Sequence, residues 1–146
     1  MKKKNILLLA VTILLIACSE QTKKASYVNA FIGTGAHGHT FPGATTPFGM
    51  VQLSPDTRVG NWDASSGYHY SDSGILGFSH THLSGTGSID LGDLLIRPTL
   101  QSLSSIVADG KITTTSFKHA DEVATPGYYK VLLDKESITC ELTATR

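Results

Sequence analysis

Glycine and proline interrupt the chain so often that no long helix fits after the first 18 residues. Both residues destabilise helix interiors, whereas the apolar positions between them are mostly β-branched or aromatic and favour strands. The sequence therefore predicts an all-β fold, an antiparallel β-sandwich. The predicted strands are residues 48–53, 75–82, 94–100, 111–117, 128–133 and 138–145.

The last two predicted strands should form an antiparallel hairpin across the short polar turn 134–137. Alternation places Ile138, Cys140 and Leu142 on one face of the second strand, and Thr139, Glu141 and Thr143 on the other. The sequence stops at Arg146 directly after this strand. We therefore expect a truncated chain whose domain, residues 27–146, is incomplete at its C-terminal end.

The N-terminus has the pattern of a secretory signal: three lysines, then an apolar run from Ile6 to Ala17 that is too short to span a bilayer. Leu15-Ile16-Ala17-Cys18 resembles the lipobox of bacterial lipoproteins. We expect residues 1–17 to be the signal peptide, Cys18 to carry lipid, and residues 18–26 to form the tether. The protein would then be anchored in the bacterial cell envelope, on the periplasmic side or the outer-membrane surface. An ordinary signal peptide with an incidental cysteine is the alternative.

Removal of residues 1–17 takes away three lysines and no acidic residue, so nine basic residues face twelve acidic ones and the formal charge is −3. Phosphate neutralisation requires the opposite sign, which argues against a nucleic-acid partner. With Cys18 lipidated, Cys140 would have no partner for an intramolecular disulfide.

Two His-x-His pairs are candidates for chemistry: His37 with His39 in a glycine-rich loop, and His80 with His82 on a predicted strand. Residues two apart on a strand point to the same side, where two imidazoles chelate a metal or hold an oxygen. A metal site needs a third ligand. For His37 and His39, a loop-stabilising or pocket-rim role is the better interpretation.

An aromatic cluster combines Trp62 and Asp63 with Tyr68 a few residues later. Sugars present C–H faces to aromatic rings and hydroxyls to carboxylates, so this cluster is a candidate sugar site; the alternative is that Trp62 and Tyr68 are structural aromatics. The Ser84-Gly85-Thr86-Gly87 segment lacks the Gly-Lys-Ser/Thr of a phosphate loop and is interpreted as a tight turn lining a cleft.

Five motifs carry a resemblance to a known family: NAFIGTG, GHTFPGATTPFGMVQLSPD, SGYHYSD, GFSHTHLSGTG and ATPGYYKV. From about Tyr27 to Arg146 the chain resembles the N-terminal domain of glycoside hydrolase family 92, the calcium-dependent exo-acting α-mannosidases. The resemblance implies a β-sandwich followed by an (α/α)6 barrel that this sequence lacks. It also implies that the catalytic acid, the catalytic base and the calcium ligands lie on that barrel, so no catalytic or metal residue is assigned here.

The resemblance implies that the sandwich forms one wall of a pocket that binds α-mannose-containing glycans. The residues assigned to that wall are Trp62, Asp63, Tyr68, His80, His82, Ser84, Gly85 and Thr86. Where the family commonly has Trp-Asp-Trp-Cys-Ser-Gly-Tyr, this chain has Trp-Asp-Ala-Ser-Ser-Gly-Tyr at residues 62–68. Loss of the second aromatic leaves the linkage preference open.

Three functions follow from these observations. The first is the N-terminal substrate-pocket domain of an α-mannosidase that acts with inversion, the domain by itself being inactive. The second is a membrane-tethered carbohydrate-binding module without catalysis, which binds sugar through the aromatic residues around Trp62. The third is a metal-dependent hydrolase that uses the His-x-His pairs.

Lipidation at Cys18 has a direct test. Cells expressing the protein are grown with an alkyne fatty acid, and we expect the label on the wild type and its loss in Cys18→Ser. A mature N-terminus that mass spectrometry finds without lipid would favour the ordinary signal peptide.

Overall fold

The computed structural model describes residues 24–145 of the chain. Ten short strands make up most of the regular structure: β1 (Ser54–Asp56), β2 (Gly74–Ile75), β3 (Gly77–Ser79), β4 (Leu95–Ile96), β5 (Val107–Ala108), β6 (Lys111–Ile112), β7 (Thr115–Ser116), β8 (Val123–Thr125), β9 (Tyr128–Leu133) and β10 (Ile138–Thr143). Helical structure is limited to one turn of α-helix, α1 (Leu103–Ile106), and 3₁₀ turns at Lys24–Tyr27, Trp62–Ala64 and His119–Asp121.

The strands pair in four sheets, and every pairing is antiparallel. The two three-stranded sheets have the orders β1-β3-β4 and β10-β9-β8, while β2 pairs with β7 and β5 with β6. The predicted all-β, antiparallel architecture is confirmed.

The predicted hairpin is the longest paired element, with β9 and β10 in register from Ile138 opposite Leu133 to Thr143 opposite Tyr128. Cys140 and Leu142 are buried and Ile138 is half-buried, whereas Thr139, Glu141 and Thr143 are exposed. The alternation read from the sequence is therefore confirmed, because a strand with one face on the core buries every second side chain.

The core lies between the two three-stranded sheets. Phe78 of β3 packs in one apolar cluster with inward-facing side chains of β9 and β10, together with Tyr68 and Ile75. Burying these side chains supplies most of the stabilisation in a β-sandwich.

A buried carboxylate joins the aromatic members of this core. Glu122 accepts hydrogen bonds from the Tyr68 hydroxyl at 3.1 Å and the Tyr129 hydroxyl at 2.5 Å, and His119 contacts its other side. Burial and the neighbouring Glu122 charge raise the pKa of Tyr68 and of Tyr129 above the ordinary value of 10.0. Both phenols therefore remain protonated donors in the folded protein.

The prediction of a strand over residues 48–53 is wrong. Phe48 has a φ of 62° and Gly49 closes a turn by donating its N–H to the Thr46 carbonyl. Phe48 and Met50 are 97% and 91% exposed, so neither joins a core face. The chain becomes extended at Leu53, which forms a single bridge with Ala44, and pairs properly only in β1.

Other predicted strands are shorter than expected. The segment 75–82 is interrupted at Leu76, whose N–H donates to the Asp56 carbonyl, and it ends at Ser79 before the two histidines. The segment 94–100 contains only β4, and 111–117 divides into β6 and β7. The sequence patterns did not predict β1, β5 and β8, which are each two or three residues long.

The signal peptide and Cys18 lie outside the described residues, so the predictions made for them stay predictions. Within residues 24–145, no helix combines the length and the apolar character needed to cross a membrane.

Replacing Glu122 should test the buried network. Glu122→Ala leaves the Tyr68 and Tyr129 hydroxyls without an acceptor, so we expect a loss of roughly 2–5 kcal/mol in the free energy of unfolding, measured with denaturant. Glu141→Ala, at an exposed position of β10, is the matched control and should change stability by less than about 0.5 kcal/mol. Equal effects of the two substitutions would contradict a stabilising role for the network.

The raised pKa values of Tyr68 and Tyr129 also predict a pH dependence. In the unfolded chain both phenols ionise near 10.0, whereas in the folded protein they stay protonated to higher pH. Their stabilisation is therefore fully present below pH 10 and is lost as the pH rises above it. In a spectrophotometric titration of the wild type, we expect Tyr68 and Tyr129 to ionise only as the protein unfolds. Tyr68→Phe and Tyr129→Phe should therefore each reduce the absorbance change of that unfolding step. A reduced absorbance change from the tyrosines that ionise in the folded protein would disprove this.

Candidate functional site

A glycine-rich loop carries the first His-x-His pair, and its shape is tightly constrained. Thr40 donates its N–H to the Gly33 carbonyl at 3.2 Å, which closes the loop at its base. A Cβ at Gly38 would lie 2.1 Å from the Gly33 carbonyl oxygen, so only glycine fits there. His39 has a left-handed φ of 55°. These constraints orient His37 and His39.

The second element is the 3₁₀ turn that carries Trp62 and Asp63. Asn61 caps this turn, because its side-chain oxygen accepts the Asp63 N–H at 2.9 Å. The following segment is bound to the histidine loop, since Ser66 donates its hydroxyl to the Thr40 carbonyl at 3.0 Å. The turn therefore has a fixed position beside the loop.

Both histidines of the loop contact the Trp-Asp pair. His37 Nδ1 lies 2.5 Å from Asp63 Oδ1, and since a carboxylate only accepts, Nδ1 is the donor. The ring of His39 meets the indole of Trp62 edge to face at 4.4 Å, and the ring of His37 lies 5.2 Å from it. Trp62 is 53% exposed, so much of the indole faces solvent.

The predicted Ser84–Gly87 turn completes the arrangement. Gly85 donates its N–H to the His39 carbonyl at 2.6 Å. A Cβ at Gly87 would lie 3.0 Å from Trp62 Nε1 and 3.1 Å from the His39 ring, which shows how closely this turn approaches the indole. Residues His37, His39, Trp62, Asp63 and 84–87 are called the Trp62 cluster below.

Tyr68 lies elsewhere, although it was predicted to be a substrate contact. It is 1% exposed and its hydroxyl is bound to Glu122, so it belongs to the core. The alternative interpretation of Tyr68 as a structural aromatic describes its position. Its closeness in sequence to Trp62 does not bring it to the same surface.

His80 and His82 do not act as a pair, because β3 ends before them and they enter different surroundings. His82 is buried; its Nδ1 donates to the Gln52 carbonyl at 2.6 Å, and its Nε2 lies 2.9 Å from both Asp56 Oδ1 and Ser79 Oγ. Both ring nitrogens of His82 therefore have hydrogen-bond partners within the protein. His80 lines a separate groove and contacts the Leu94 carbonyl at 3.4 Å.

The described residues also offer no metal centre, because among them no group of three or more His, Cys, Asp and Glu side chains is arranged to hold an ion. Among the described residues, the candidate His80–His82 pair therefore has no further side chains grouped with it to hold a metal. The calcium that the family resemblance implies does not fit residues 24–145.

A polar cavity of about 280 Å³ lies beside the segment that follows Trp62. Asp56 and His82 line it together with Arg58, which is held by Asp72 at 2.7 Å. Its size is just below the ~300–1,000 Å³ of typical small-molecule sites. The cavity is lined by residues 64–67, which follow Asp63 in the chain, but by no residue of the Trp62 cluster.

The family assignment rests on a match between residues 27–146 and the glycosyl hydrolase family 92 N-terminal domain. The chain belongs to glycoside hydrolase family 92. The resemblance inferred from the five motifs is confirmed, and the match covers the Trp62 cluster in full.

Solved structures agree with this family 92 assignment. A family GH92 α-mannosidase from Bacteroides thetaiotaomicron is 40% identical, with a TM-score of 0.77 over 83% of this chain and 17% of that enzyme. Its complex with mannoimidazole has a TM-score of 0.70. An inverting family GH92 mannosidase from the same organism is 25% identical, with a TM-score of 0.59 over 87% of this chain and 17% of that enzyme.

A curated relative from Arthroderma benhamiae, described as an uncharacterized secreted glycosidase, is 30% identical over 151 residues. The match covers 97% of this chain and 18% of that relative. The family 92 chain described here thus spans less than a fifth of the length of the relatives it matches.

Sequence reasoning missed the contacts that His37 and His39 make with Trp62 and Asp63. The composition of residues 33–38 indicated a glycine-rich loop, and a loop-stabilising or pocket-rim role was assigned to both histidines. The sequence carries no signal for the partner, because Asp63 lies 26 residues away from His37.

Two glycines of the Ser84–Gly87 turn provide a matched test of this geometry. Gly85 and Gly87 both have left-handed φ angles, but a Cβ at Gly85 meets nothing within 4 Å whereas one at Gly87 meets Trp62. Both Gly→Ala changes should cost about 1 kcal/mol for the backbone. Only Gly87→Ala should also shift the fluorescence of Trp62; equal spectra for the two variants would contradict the close approach.

Proposed function

We propose that this chain acts as the N-terminal domain of an exo-acting α-mannosidase that hydrolyses terminal α-mannosidic bonds with inversion. Membership of family 92 supports a glycoside hydrolase. The neighbour at 40% identity is an α-mannosidase that binds mannoimidazole, and another neighbour is an inverting mannosidase, which support the substrate and the stereochemistry.

The observation that carries the proposal is the half-exposed Trp62 beside Asp63. An exposed indole stacks on the apolar face of a pyranose, while a carboxylate accepts hydrogen bonds from its hydroxyls. We assign Trp62 and Asp63 to sugar binding, with the Ser84–Gly87 turn forming the adjoining wall of an α-mannose site.

Catalysis itself is assigned to the part of the enzyme beyond this domain. An inverting glycosidase needs two carboxyl groups about 6.5–9.5 Å apart across the bond, and no residue of this chain is assigned to either role. Calcium is bound by several oxygen ligands, carboxylates among them, and within residues 24–145 no three or more His, Cys, Asp and Glu side chains are grouped to hold an ion. As the family resemblance implies, the catalytic carboxylates and calcium are proposed to lie in a C-terminal domain.

A carbohydrate-binding module without catalysis is the second candidate, since the same exposed Trp62 would serve it. Under either function, we propose that lipid on Cys18 attaches the protein to the bacterial cell envelope. The protein would then bind its glycan substrates outside the cytoplasm.

The role of Asp63 is tested in the full-length enzyme. Asp63→Ala should lower kcat/KM for an α-mannoside about 10- to 100-fold, as expected for the loss of a ~1.5–3 kcal/mol hydrogen bond to a charged group. Asp93→Ala removes an exposed aspartate outside the Trp62 cluster and is the control. Unchanged kinetics in Asp63→Ala would remove Asp63 from the sugar site.

The location of the catalytic groups has its own test. The 146-residue chain should release no mannose from a chromogenic α-mannoside, whereas the full-length enzyme should hydrolyse it. Hydrolysis by the 146-residue chain would place a carboxylate pair within this sequence. Sugar binding without hydrolysis in the full-length protein would favour the carbohydrate-binding module.

A further inference from the structure

His37 and His39 are not accounted for by the proposed function, yet they contact both proposed sugar-binding residues. His37 reaches Asp63 and His39 reaches Trp62, each from the same glycine-rich loop. The loop is closed at Gly33 and admits no side chain at Gly38. A rigid element therefore holds one imidazole against the carboxylate and the other against the indole.

The contact with His37 leaves one side of the Asp63 carboxylate available. Oδ1 accepts from His37 Nδ1 at 2.5 Å, while within residues 24–145 no hydrogen bond reaches Oδ2. The backbone of Asp63 is held separately by Asn61. A carboxylate fixed through one oxygen presents the other in a defined direction, although the side chain is 37% exposed.

His39 contacts Trp62 from a backbone conformation and a buried position that are both unfavourable for a histidine. The residue has a left-handed φ of 55°, is only 8% exposed, and its Nε2 has no hydrogen-bond partner in the described part of the chain. Strained backbone and unsatisfied buried nitrogens occur where surrounding structure imposes them, often at functional sites. The ring's edge-to-face contact with Trp62 at 4.4 Å is the interaction that this arrangement secures.

We propose that His37 and His39 are positioning residues, which hold the Asp63 carboxylate and the Trp62 indole in the orientation that receives a sugar. The inference rests on the proposed function and deepens it, because it identifies what orders the sugar-binding pair before the ligand arrives. Side chains that are ordered before the ligand arrives lose less conformational entropy on binding. Removing His37 or His39 should therefore weaken substrate affinity.

The orientation of Trp62 is measured without any sugar. Trp62 is the only tryptophan of the 146-residue chain, so its time-resolved fluorescence anisotropy reports the motion of this one indole. His39→Asn removes the imidazole but keeps a residue that tolerates left-handed φ. We expect a larger fast component of indole rotation in this variant, with circular dichroism confirming the fold.

His80→Asn is the matched control for this measurement, because His80 lines a groove without Trp62. Its anisotropy decay should equal that of the wild type. Indole motion unchanged in a folded His39→Asn, or increased equally in both variants, overturns the role of His39.

The role of His37 is measured in the full-length enzyme with an α-mannoside. His37→Leu should raise KM about 3- to 10-fold with little change in kcat, because it releases the Asp63 side chain. His37→Asn places an amide nitrogen near the position of Nδ1 and should restore most of the affinity. A KM unchanged in His37→Leu, or no rescue by His37→Asn, overturns the role of His37.

These outcomes are separable from failure of the proposed function. A wild-type enzyme that hydrolyses no mannoside refutes the proposed activity. The same kinetic variants are then assayed for mannose binding, and the anisotropy of Trp62 still decides whether His39 orders the indole. A folded protein with a freely rotating wild-type Trp62 refutes the positioning role even if mannoside is hydrolysed.

Discussion

The buried carboxylate of Glu122 joins the segment that carries Trp62 and Tyr68 to the longest hairpin of the core. It accepts hydrogen bonds from Tyr129 on the longest hairpin and from Tyr68, which ends the segment that begins at Trp62. A buried carboxylate of this kind is stable only when its oxygens are satisfied, so the two tyrosines and Glu122 depend on one another. The aromatic segment is thereby held to the sandwich at one end, while Trp62 stays exposed at the other.

The Trp62 cluster shows how a sandwich of short strands supports an ordered polar surface. Its residues come from three separate connections. Gly85 donates its N–H to the His39 carbonyl, Ser66 donates its hydroxyl to the Thr40 carbonyl, and His37 contacts Asp63, so these links rather than strand pairing bring the connections together. Gly38 is needed because the glycine-rich loop folds back onto its own Gly33 carbonyl, and Gly87 is favoured because its left-handed backbone runs close to Trp62 and His39. The many glycines of this chain therefore serve two purposes: they exclude helices, and they allow loops to pack against each other.

The fold class was predictable because glycine, proline and β-branched residues act locally. The hairpin of β9 and β10 was predictable to within two residues, since alternation and a polar turn specify both its strands and its faces. A strand was wrongly predicted over residues 48–53 because Phe48 and Met50 are typical strand residues, whereas the chain forms a local turn at Gly49. The strands β1, β5 and β8 were not predicted because two or three residues are too few to show the alternation that identifies a strand.

Within the candidate site, the sequence by itself determined the residue types and the glycine-rich loop, and through its long motifs it indicated the family. Only the tertiary structure decided which residues meet. It separated Tyr68 and His82, which are buried and hydrogen-bonded, from Trp62 and Asp63, which are exposed beside His37 and His39. The physical reason is that spacing along a chain specifies neighbours only within regular strands and helices, whereas these contacts join loops 23 to 26 residues apart.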